Sequence, residues 1–336
     1  MQGRQSRPAV LRTGPLDSGA AAALSIGLGA VIVTASAEQP RVLTIHLPGG
    51  AGEALPSGPL EAEHRTLELG LRNWVERQTS QKLGYVEQLY TFGDRDRLPR
   101  GDAGGARALT VAYLALVREV RPAAATEAAW QSWYRYFPWE DWRAGHPSSA
   151  ADLEDRLGAW AIAAGVPAER RLREERIRMA FGGRATGWNE DLVLERYELL
   201  YEAGLVEEAA RDVSRPWPTA RAPASGVPLA ADHRRILATA IGRLRGKIKY
   251  RPVVFELMPP VFTLLQLQRT VEALSGVRLH KQNFRRLVEQ QGLVEETGAV
   301  TTETGGRPAR LVRFRREVLL ERPAPGLRRA RRRGAG

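Results

Sequence analysis

The residues between His280 and Gly292 have the types and the spacing needed to read DNA bases. On a helical wheel, Phe284, Leu287 and Val288 cluster on one side, where they can pack against a neighbouring helix. The opposite side carries polar and charged side chains, namely Lys281, Gln282, Asn283, Arg285 and Arg286. Arg, Asn and Gln make bidentate hydrogen bonds to guanine and adenine edges in the major groove. The pattern predicts either a base-reading face or, as is more common for an isolated helix, a solvated one.

The preceding residues favour base reading. Thr263 and Gln266 have the spacing of a capping box, which predicts a helix from residue 263 to about Leu274. A short turn containing Gly276 separates this helix from a second one that begins near His280. Two short helices joined by a glycine-containing turn are typical of a helix-turn-helix motif, whose second helix enters the major groove.

The residues after this motif predict the β-ribbon of a winged helix. Strands are predicted at 293–294 and 311–314, and the segment TTETGGRPAR lies between them. Backbone amides and an arginine at such a tip contact phosphates, which positions the protein without specifying sequence. We expect contacts with double-stranded DNA from Thr304, Gly305, Gly306 and Arg307 in the wing, and from Lys247 and Lys249 in a helix predicted over 232–249.

The charge distribution supports a nucleic-acid partner for this part of the chain. The net charge of the 336 residues is +12, but residues 231–336 contain 23 Lys plus Arg against 9 Asp plus Glu. The remaining residues hold 27 basic and 29 acidic side chains, so the basic excess lies entirely in the last third. This asymmetry predicts a polyanion-binding module joined to a near-neutral domain. The alternative is an ordinary domain with a basic tail, since residues 328–333 alone supply five of the charges.

Composition excludes several kinds of chemistry. The chain has no cysteine, which rules out disulfides, thiolate metal sites and cysteine nucleophiles. Its five histidines are too widely spaced for a helical zinc motif. The uncharged stretch 18–37 ends in Ala-Ser-Ala, as a signal peptide does, but its Gly, Ala and Ser content favours a strand. We therefore expect a cytoplasmic, nucleoid-associated protein with no membrane partner.

The N-terminal two thirds predict a mixed domain with a helical part. Hydrophobic patterning indicates strands at 30–36, 42–47, 86–92 and 108–117 and a helix over about 61–83. A tryptophan-rich segment at 130–142 precedes helices predicted at 149–164, 167–181 and 189–212. The predicted organisation is a flexible leader at 1–20, a mixed N-terminal domain at 21–212, a Pro/Ser/Ala-rich linker at 213–230, the winged helix at 231–318 and a basic tail at 319–336.

The chain resembles the Nudix-related transcriptional regulators of NAD metabolism, and most closely their alphaproteobacterial branch. The matching stretches are VEQLYTFGDRDR and VAYLALV in the first domain, and KIKYRPVVFELMPP, FTLLQLQ, KQNFRR and GGRPARLVRF in the second. The resemblance implies an α+β protein, in which an N-terminal Nudix-like α/β/α sandwich domain with a helical insertion precedes a C-terminal winged helix-turn-helix domain.

The resemblance also implies a motif against which catalysis can be tested. A working Nudix box reads G-x5-E-x7-R-E-U-x-E-E-x-G-U, where U is aliphatic and the glutamates hold magnesium. With its first glycine aligned on Gly58, Arg72 and Glu76 match. The other defining positions hold His64, Asn73, Arg77 and Thr79. A cation beside Glu76 repels magnesium, and one carboxylate is too few for a two-metal site. We predict no catalytic residues, no metal site and no diphosphate hydrolysis.

The resemblance implies that the cleft of a Nudix-like domain binds an NAD-related or adenine nucleotide as an effector, and that the protein has no cofactor. Arginines could then neutralise the diphosphate in place of the metal. The candidates are Arg41, Arg72 and Arg77, with Glu76 beside them, and Phe92 and Asp94 where the family carries ligand contacts. Each arginine could equally be structural, and a strand-ending turn fits Phe92 and Asp94 equally well. For the tryptophan-rich segment, core packing or a dimer interface is favoured over stacking on adenine.

Together these features imply a repressor of NAD biosynthesis or salvage genes that binds a palindromic operator as a homodimer. The helix predicted over 232–249 would transmit the effector signal, because it joins the two domains. Two alternatives stay open: an active nucleotide diphosphate hydrolase with a basic appendage, and a nucleic-acid binder without sequence preference.

Overall fold

A mixed sheet of seven strands lies at the centre of the part of the chain that the computed structural model describes, which is residues 24–50, 52–94, 107–118, 128–182, 187–218, 222–302, 308–321 and 326–327. The strands are β1 (Leu24–Ala35), β2 (Pro40–His46), β3 (Glu53–Ala54), β4 (Ser57–Pro59), β5 (Tyr85–Phe92), β6 (Arg107–Leu116) and β7 (Ala128–Ser132). Their order is β3-β2-β1-β6-β5, with β4 paired to β1 and β7 paired to β2. Strand β1 runs parallel to β6, and the other pairings are antiparallel.

Residues 24–35 of the stretch that imitates a signal peptide form the central strand β1. It pairs with β6 over ten residues, from Leu24 opposite Arg107 to Val33 opposite Leu116. The strand begins six residues earlier than predicted, because its Gly- and Ser-rich start is held by β4 and β6 on its two sides. None of the described helices is long and apolar enough to span a bilayer.

Ten α-helices occur among the described residues. They are α1 (Leu67–Thr79), α2 (Ser148–Ile162), α3 (Pro167–Phe181), α4 (Val193–Glu202), α5 (Glu207–Asp212), α6 (Ala222–Ser225), α7 (His233–Ile248), α8 (Leu264–Ser275), α9 (Lys281–Gln290) and α10 (Val318–Glu321). Helix α1 is shorter than the predicted 61–83, because Thr66 caps its start and the left-handed Ser80 ends it. The single helix predicted over 189–212 is divided into α4 and α5, and Gly204 adopts a left-handed φ of 67° between them.

The sheet is covered on both faces, as the predicted α/β/α sandwich requires. On one face α1 buries Leu71 and Val75 against Leu28, Ile32 and Leu43. The other face contributes to a larger core that contains the tryptophan-rich segment and residues of α4, α7, α8 and α9, including Trp133, Tyr197, Leu244, Leu274 and Phe284. The sheet-containing N-terminal part and the C-terminal helices of the chain therefore share one continuous hydrophobic core.

The segment predicted to be a linker, 213–230, is not a free connection where it is described. Leu229 is buried, and its N–H donates to Glu208 Oε1 at 3.1 Å. The buried Arg234 donates to Ser225 O and to Glu208 Oε2, both at 2.6 Å. Composition indicated a linker because the segment has no hydrophobic periodicity, but the Glu208 carboxylate and the Arg234 guanidinium hold its backbone in place.

A buried ion-pair cluster joins three elements of the larger core. Glu140 is fully buried and accepts hydrogen bonds from Arg196 of α4 (2.5 and 3.0 Å) and from Arg245 of α7 (2.6 Å). Burial alone would raise the pKa of Glu140, but the charges of Arg196 and Arg245 outweigh this and lower it. The Arg196 guanidinium also lies 3.8 Å from the centroid of the Trp188 ring. These contacts place the tryptophan-rich segment in the core, where Trp133 and Trp139 have no exposed surface.

Replacing Glu140 by Gln should be strongly destabilising, because two buried guanidiniums lose their counter-charge. Removing one partner of a buried pair costs about 3–5 kcal/mol. Glu202→Gln is a matched control, because Glu202 pairs with Arg176 at the surface, where the loss is about 0–1 kcal/mol. Urea unfolding gives the free energies, and equal losses for the two variants would contradict the role given to the cluster.

Candidate DNA interface and effector cleft

The helix-turn-helix forms where the sequence predicted it. The Thr263 hydroxyl accepts the Gln266 N–H at 3.1 Å, and the Gln266 side chain accepts the Thr263 N–H at 2.7 Å, so α8 begins with a complete capping box. Gly276 ends the helix in the left-handed region, with a φ of 73°. Helix α9 follows after four residues, and its Phe284 and Val288 are buried in the core.

The five side chains of α9 that are predicted to contact DNA share its exposed surface. They are Lys281, Gln282, Asn283, Arg285 and Arg286, and all five are exposed. Arg286 lies 3.5 Å from the Asn283 side-chain oxygen, so these two groups can act on neighbouring bases. The structure brings this set together on one surface, and its contact with bases remains a prediction.

The predicted wing is a three-stranded sheet whose strands are longer than expected. β9 (Val294–Thr301) and β10 (Ala309–Phe314) are antiparallel, and β8 (Phe262–Thr263) pairs with the other edge of β10. Phe314 stacks on Phe255 with ring centroids 4.3 Å apart, which fixes the ribbon to the core. The predicted tip contacts Thr304, Gly305, Gly306 and Arg307 lie outside the described residues.

Lys247 and Lys249 are placed differently from the prediction. Lys247 contacts the Glu87 carboxylate and donates to the Tyr85 hydroxyl at 2.7 Å, and Lys249 lies 2.5 Å from Asp191. Partial burial disfavours the charge on Lys247, but the hydrogen bonds with Glu87 and Tyr85 outweigh it and raise its pKa. Both lysines therefore pair with carboxylates outside the winged helix, and their contact with DNA remains a prediction.

The predicted effector arginines of α1 are engaged in contacts within the domain. Arg72 donates to Glu68 at 2.9 Å and to the backbone carbonyls of Leu83 and Gly84, so it holds the loop before β5. Arg77 lies 4.0 Å from the Trp74 ring centroid and 3.3 Å from Glu61. Glu76 is exposed, with Lys82 at 3.8 Å.

The remaining effector candidates lie on two different faces of the sheet. Arg41, on β2, shares the α1 face because it alternates with Val42, which belongs to the core on the opposite side. Phe92 is on that opposite side, and Asp94 pairs there with Arg235 of α7. Phe92 and Asp94 line a cavity of about 20 Å³ together with His233. The structure does not assemble the six candidates into one cleft.

The region aligned with the Nudix box is filled by side chains. The Trp74 indole covers Gly58 so closely that a β-carbon there would overlap the ring, and its Nε1–H donates to Pro59 O at 2.9 Å. His64 Nδ1 accepts the Glu61 N–H at 3.1 Å, and its Nε2 lies 3.3 Å from the same glutamate's carboxylate. Within the described residues no cluster of three His, Asp or Glu side chains could hold a metal ion.

A groove that sequence reasoning missed runs between β5 and α7. It has a volume of about 490 Å³ and is lined by Glu87, Gly242, Arg243, Gly246, Lys247 and Tyr250. Its lining residues on and just after α7 recur every three or four positions, which is the spacing of one helix face. The sequence does not show that β5 packs beside this face, so the groove could not be predicted.

Comparison with known proteins agrees with this geometry. Residues 254–314 match the family model described as the NrtR DNA-binding winged helix domain. Over 86 residues the chain is 44% identical to the ADPR responsive transcriptional repressor NtrR of Acinetobacter baylyi. That match covers 26% of this chain and only 34%, about a third, of the relative's length.

Two solved structures extend the likeness to most of the chain. The crystal structure of Shewanella oneidensis NrtR complexed with a 27mer DNA has a TM-score of 0.51 at 23% identity, covering 87% of this chain and 94% of that one. A MutT/nudix family protein from Enterococcus faecalis has a TM-score of 0.50 at 16% identity, covering 93% and 90%. The chain therefore combines a Nudix-like α/β/α fold with a C-terminal winged helix that is similar to that of NrtR.

Proposed function

We propose that this protein is a transcriptional repressor that reads operator DNA with α9 and responds to a nucleotide related to ADP-ribose. The observation that carries the proposal is the exposed Lys/Gln/Asn/Arg face of α9 within a segment that matches the NrtR winged-helix family. Its 44%-identical relative is named an ADPR responsive repressor, which supports the same effector class for this chain.

The sensing domain is proposed to bind its nucleotide without hydrolysing it. His64, Asn73 and Arg77 stand where an active Nudix box has carboxylates, and the Trp74 ring packs over Gly58. A diphosphate without magnesium needs cations for charge neutralisation, and Arg41 and Arg77 on the α1 side are proposed to supply them.

The proposed targets are NAD biosynthesis or salvage genes, and the proposed active form is a homodimer in the cytoplasm, bound to the nucleoid. A two-fold symmetric dimer presents two copies of α9 to a palindromic operator, with half-sites about one helical turn apart. The effector changes operator affinity by binding the DNA-competent and DNA-incompetent arrangements unequally.

Arg286→Ala should weaken binding to an operator much more than binding to scrambled DNA. Losing a bidentate base contact costs about 1–3 kcal/mol of discrimination. Fluorescence anisotropy with DNA from upstream of NAD-pathway genes, with and without ADP-ribose, measures the loss, and Arg170→Ala on the exposed α3 is the control. An equal loss on both DNAs would instead support a binder without sequence preference.

Lys281→Met and Lys247→Met should differ in their effect on the salt dependence of binding. Each phosphate contact contributes about 0.9 to the slope of log affinity against log salt concentration. We expect that slope to fall for Lys281→Met, whose side chain is exposed on α9, and to stay unchanged for Lys247→Met, whose side chain pairs with Glu87. Equal decreases would show that Lys247 also reaches DNA.

The purified protein should not turn over NAD or ADP-ribose in the presence of magnesium. One exposed carboxylate at the box, Glu76, is too few for the metal ions that activate water. Chromatography of the nucleotide products after long incubation tests this. Turnover at the rate of an ordinary enzyme would favour the hydrolase alternative.

A further inference from the structure

The turn of the helix-turn-helix is fastened to the tryptophan-rich segment by two hydrogen bonds and to α7 by a third. The Tyr134 hydroxyl donates to Ala273 O at 2.7 Å, and the Trp142 N–H donates to Gly276 O at 2.7 Å. Between them, Arg245 Nε–H donates to Leu274 O at 2.9 Å. The carbonyls at a helix C-terminus have no partner within the helix, so these donors satisfy groups that would otherwise need water.

The two surfaces are in direct backbone contact. Gly276 lies so close to the carbonyl of Glu140 that a β-carbon there would overlap the oxygen, and it would also lie 3.0 Å from the Tyr134 hydroxyl. The left-handed φ at Gly276 adds a second reason for glycine at this position. Close packing of this kind leaves the turn no room to slide over the segment.

The other end of the segment is part of the sensing sheet. Strand β7 begins the segment and pairs with β2 over five residues, from Ala128 opposite Ile45 to Ser132 opposite Arg41. At the far end, Glu140 is held by Arg196 and Arg245 in the fully buried ion-pair cluster. The segment therefore connects the sheet and the turn without a flexible joint among its described residues.

Glu272 links the end of α8 to the residues just before α9. Its carboxylate accepts from Gln268 Nε2 and from the Leu279 N–H, both at 2.9 Å, and pairs with Arg278 at 2.8 Å. Since Leu279 comes two residues before α9, the turn cannot change its direction unless these bonds break.

We propose that residues 128–142 are a platform that fixes the orientation of α9 relative to the sensing sheet, with Tyr134, Glu140 and Trp142 as positioning residues. The helix-turn-helix then moves with the sheet as one body and does not swing on α7. A signal that repositions the reading helix within a protomer has to disrupt this platform. The inference holds whatever the effector or operator is.

Distance measurements between two spin labels test the proposal directly. Because the chain has no cysteine, Asn73→Cys on α1 and Glu289→Cys on α9 would be its only labelling sites, and both positions are exposed. Labelled protein is diluted with excess unlabelled chain, so that distances between subunits do not contribute. Pulsed electron–electron resonance then gives the distribution of distances, and we expect a single narrow peak.

Two substitutions in this background should loosen the platform. Gly276→Ala places a methyl group against Glu140 O, and Tyr134→Phe removes only the hydroxyl that binds Ala273 O. Gly204→Ala is the control for the first, because Gly204 has a similar φ of 67° with open space around it. Tyr201→Phe is the control for the second, because its hydroxyl binds Asp212 away from the turn.

The expected result is a broader peak or a second population in the two platform variants, at a temperature where unfolding curves show them folded, and no change in the controls. Should Gly276→Ala fail to fold, Tyr134→Phe decides alone. A broad or bimodal distribution in the unsubstituted background would overturn the proposal. So would platform variants whose distributions match those of their controls. No DNA or nucleotide is present, so this outcome is separate from that of the proposed function.

Discussion

The buried carboxylate of Glu140 is the constraint on which the arrangement of this molecule depends. A charge without exposed surface is tolerated only with partners in good geometry, and here those partners come from α4 and α7. Because Arg196 of α4 and Arg245 of α7 both bind Glu140, these two helices have one relative placement. Helix α7 leads to the winged helix. The same Arg245 reaches the end of α8, which brings the DNA-binding motif into this cluster.

The basic excess of the last third has two separate uses. One group of cations pairs with carboxylates from the N-terminal part of the chain. It consists of Arg235, Arg245 and Lys247 on α7 and Lys249 at its C-terminal end. The cations of α9 face outward. The net charge of a segment cannot distinguish the paired cations of α7 from the exposed cations of α9, because it does not show which cations meet carboxylates from distant parts of the chain. Ion pairs therefore hold the two halves together and use part of the basic excess, while the cations of α9 stay exposed.

Local signals in the sequence predicted the elements well and their packing poorly. The capping box at Thr263, the turn at Gly276 and the amphipathic pattern of α9 are short-range features, and each is present where predicted. The prediction of a strand at residues 30–36 was also correct. It was based on the small number of strongly apolar residues in this stretch, which is too low for a signal peptide. The contacts of segment 213–230 and of the lysines of α7 could not be predicted, because they depend on Glu208, Glu87 and Asp191, which are distant in sequence. The six effector candidates came from a resemblance, and no local pattern could show that they lie on two faces of the sheet.

The indole of Trp74 over Gly58 has an evolutionary consequence. Glutamates at positions 73 and 77 would return negative charge to α1, yet the Trp74 ring would still occupy the space beside Gly58. Replacing Arg77 would also remove the guanidinium that packs on this ring. A magnesium site on this face of α1 would thus require replacement of the indole as well as of Asn73 and Arg77, so the three positions constrain one another.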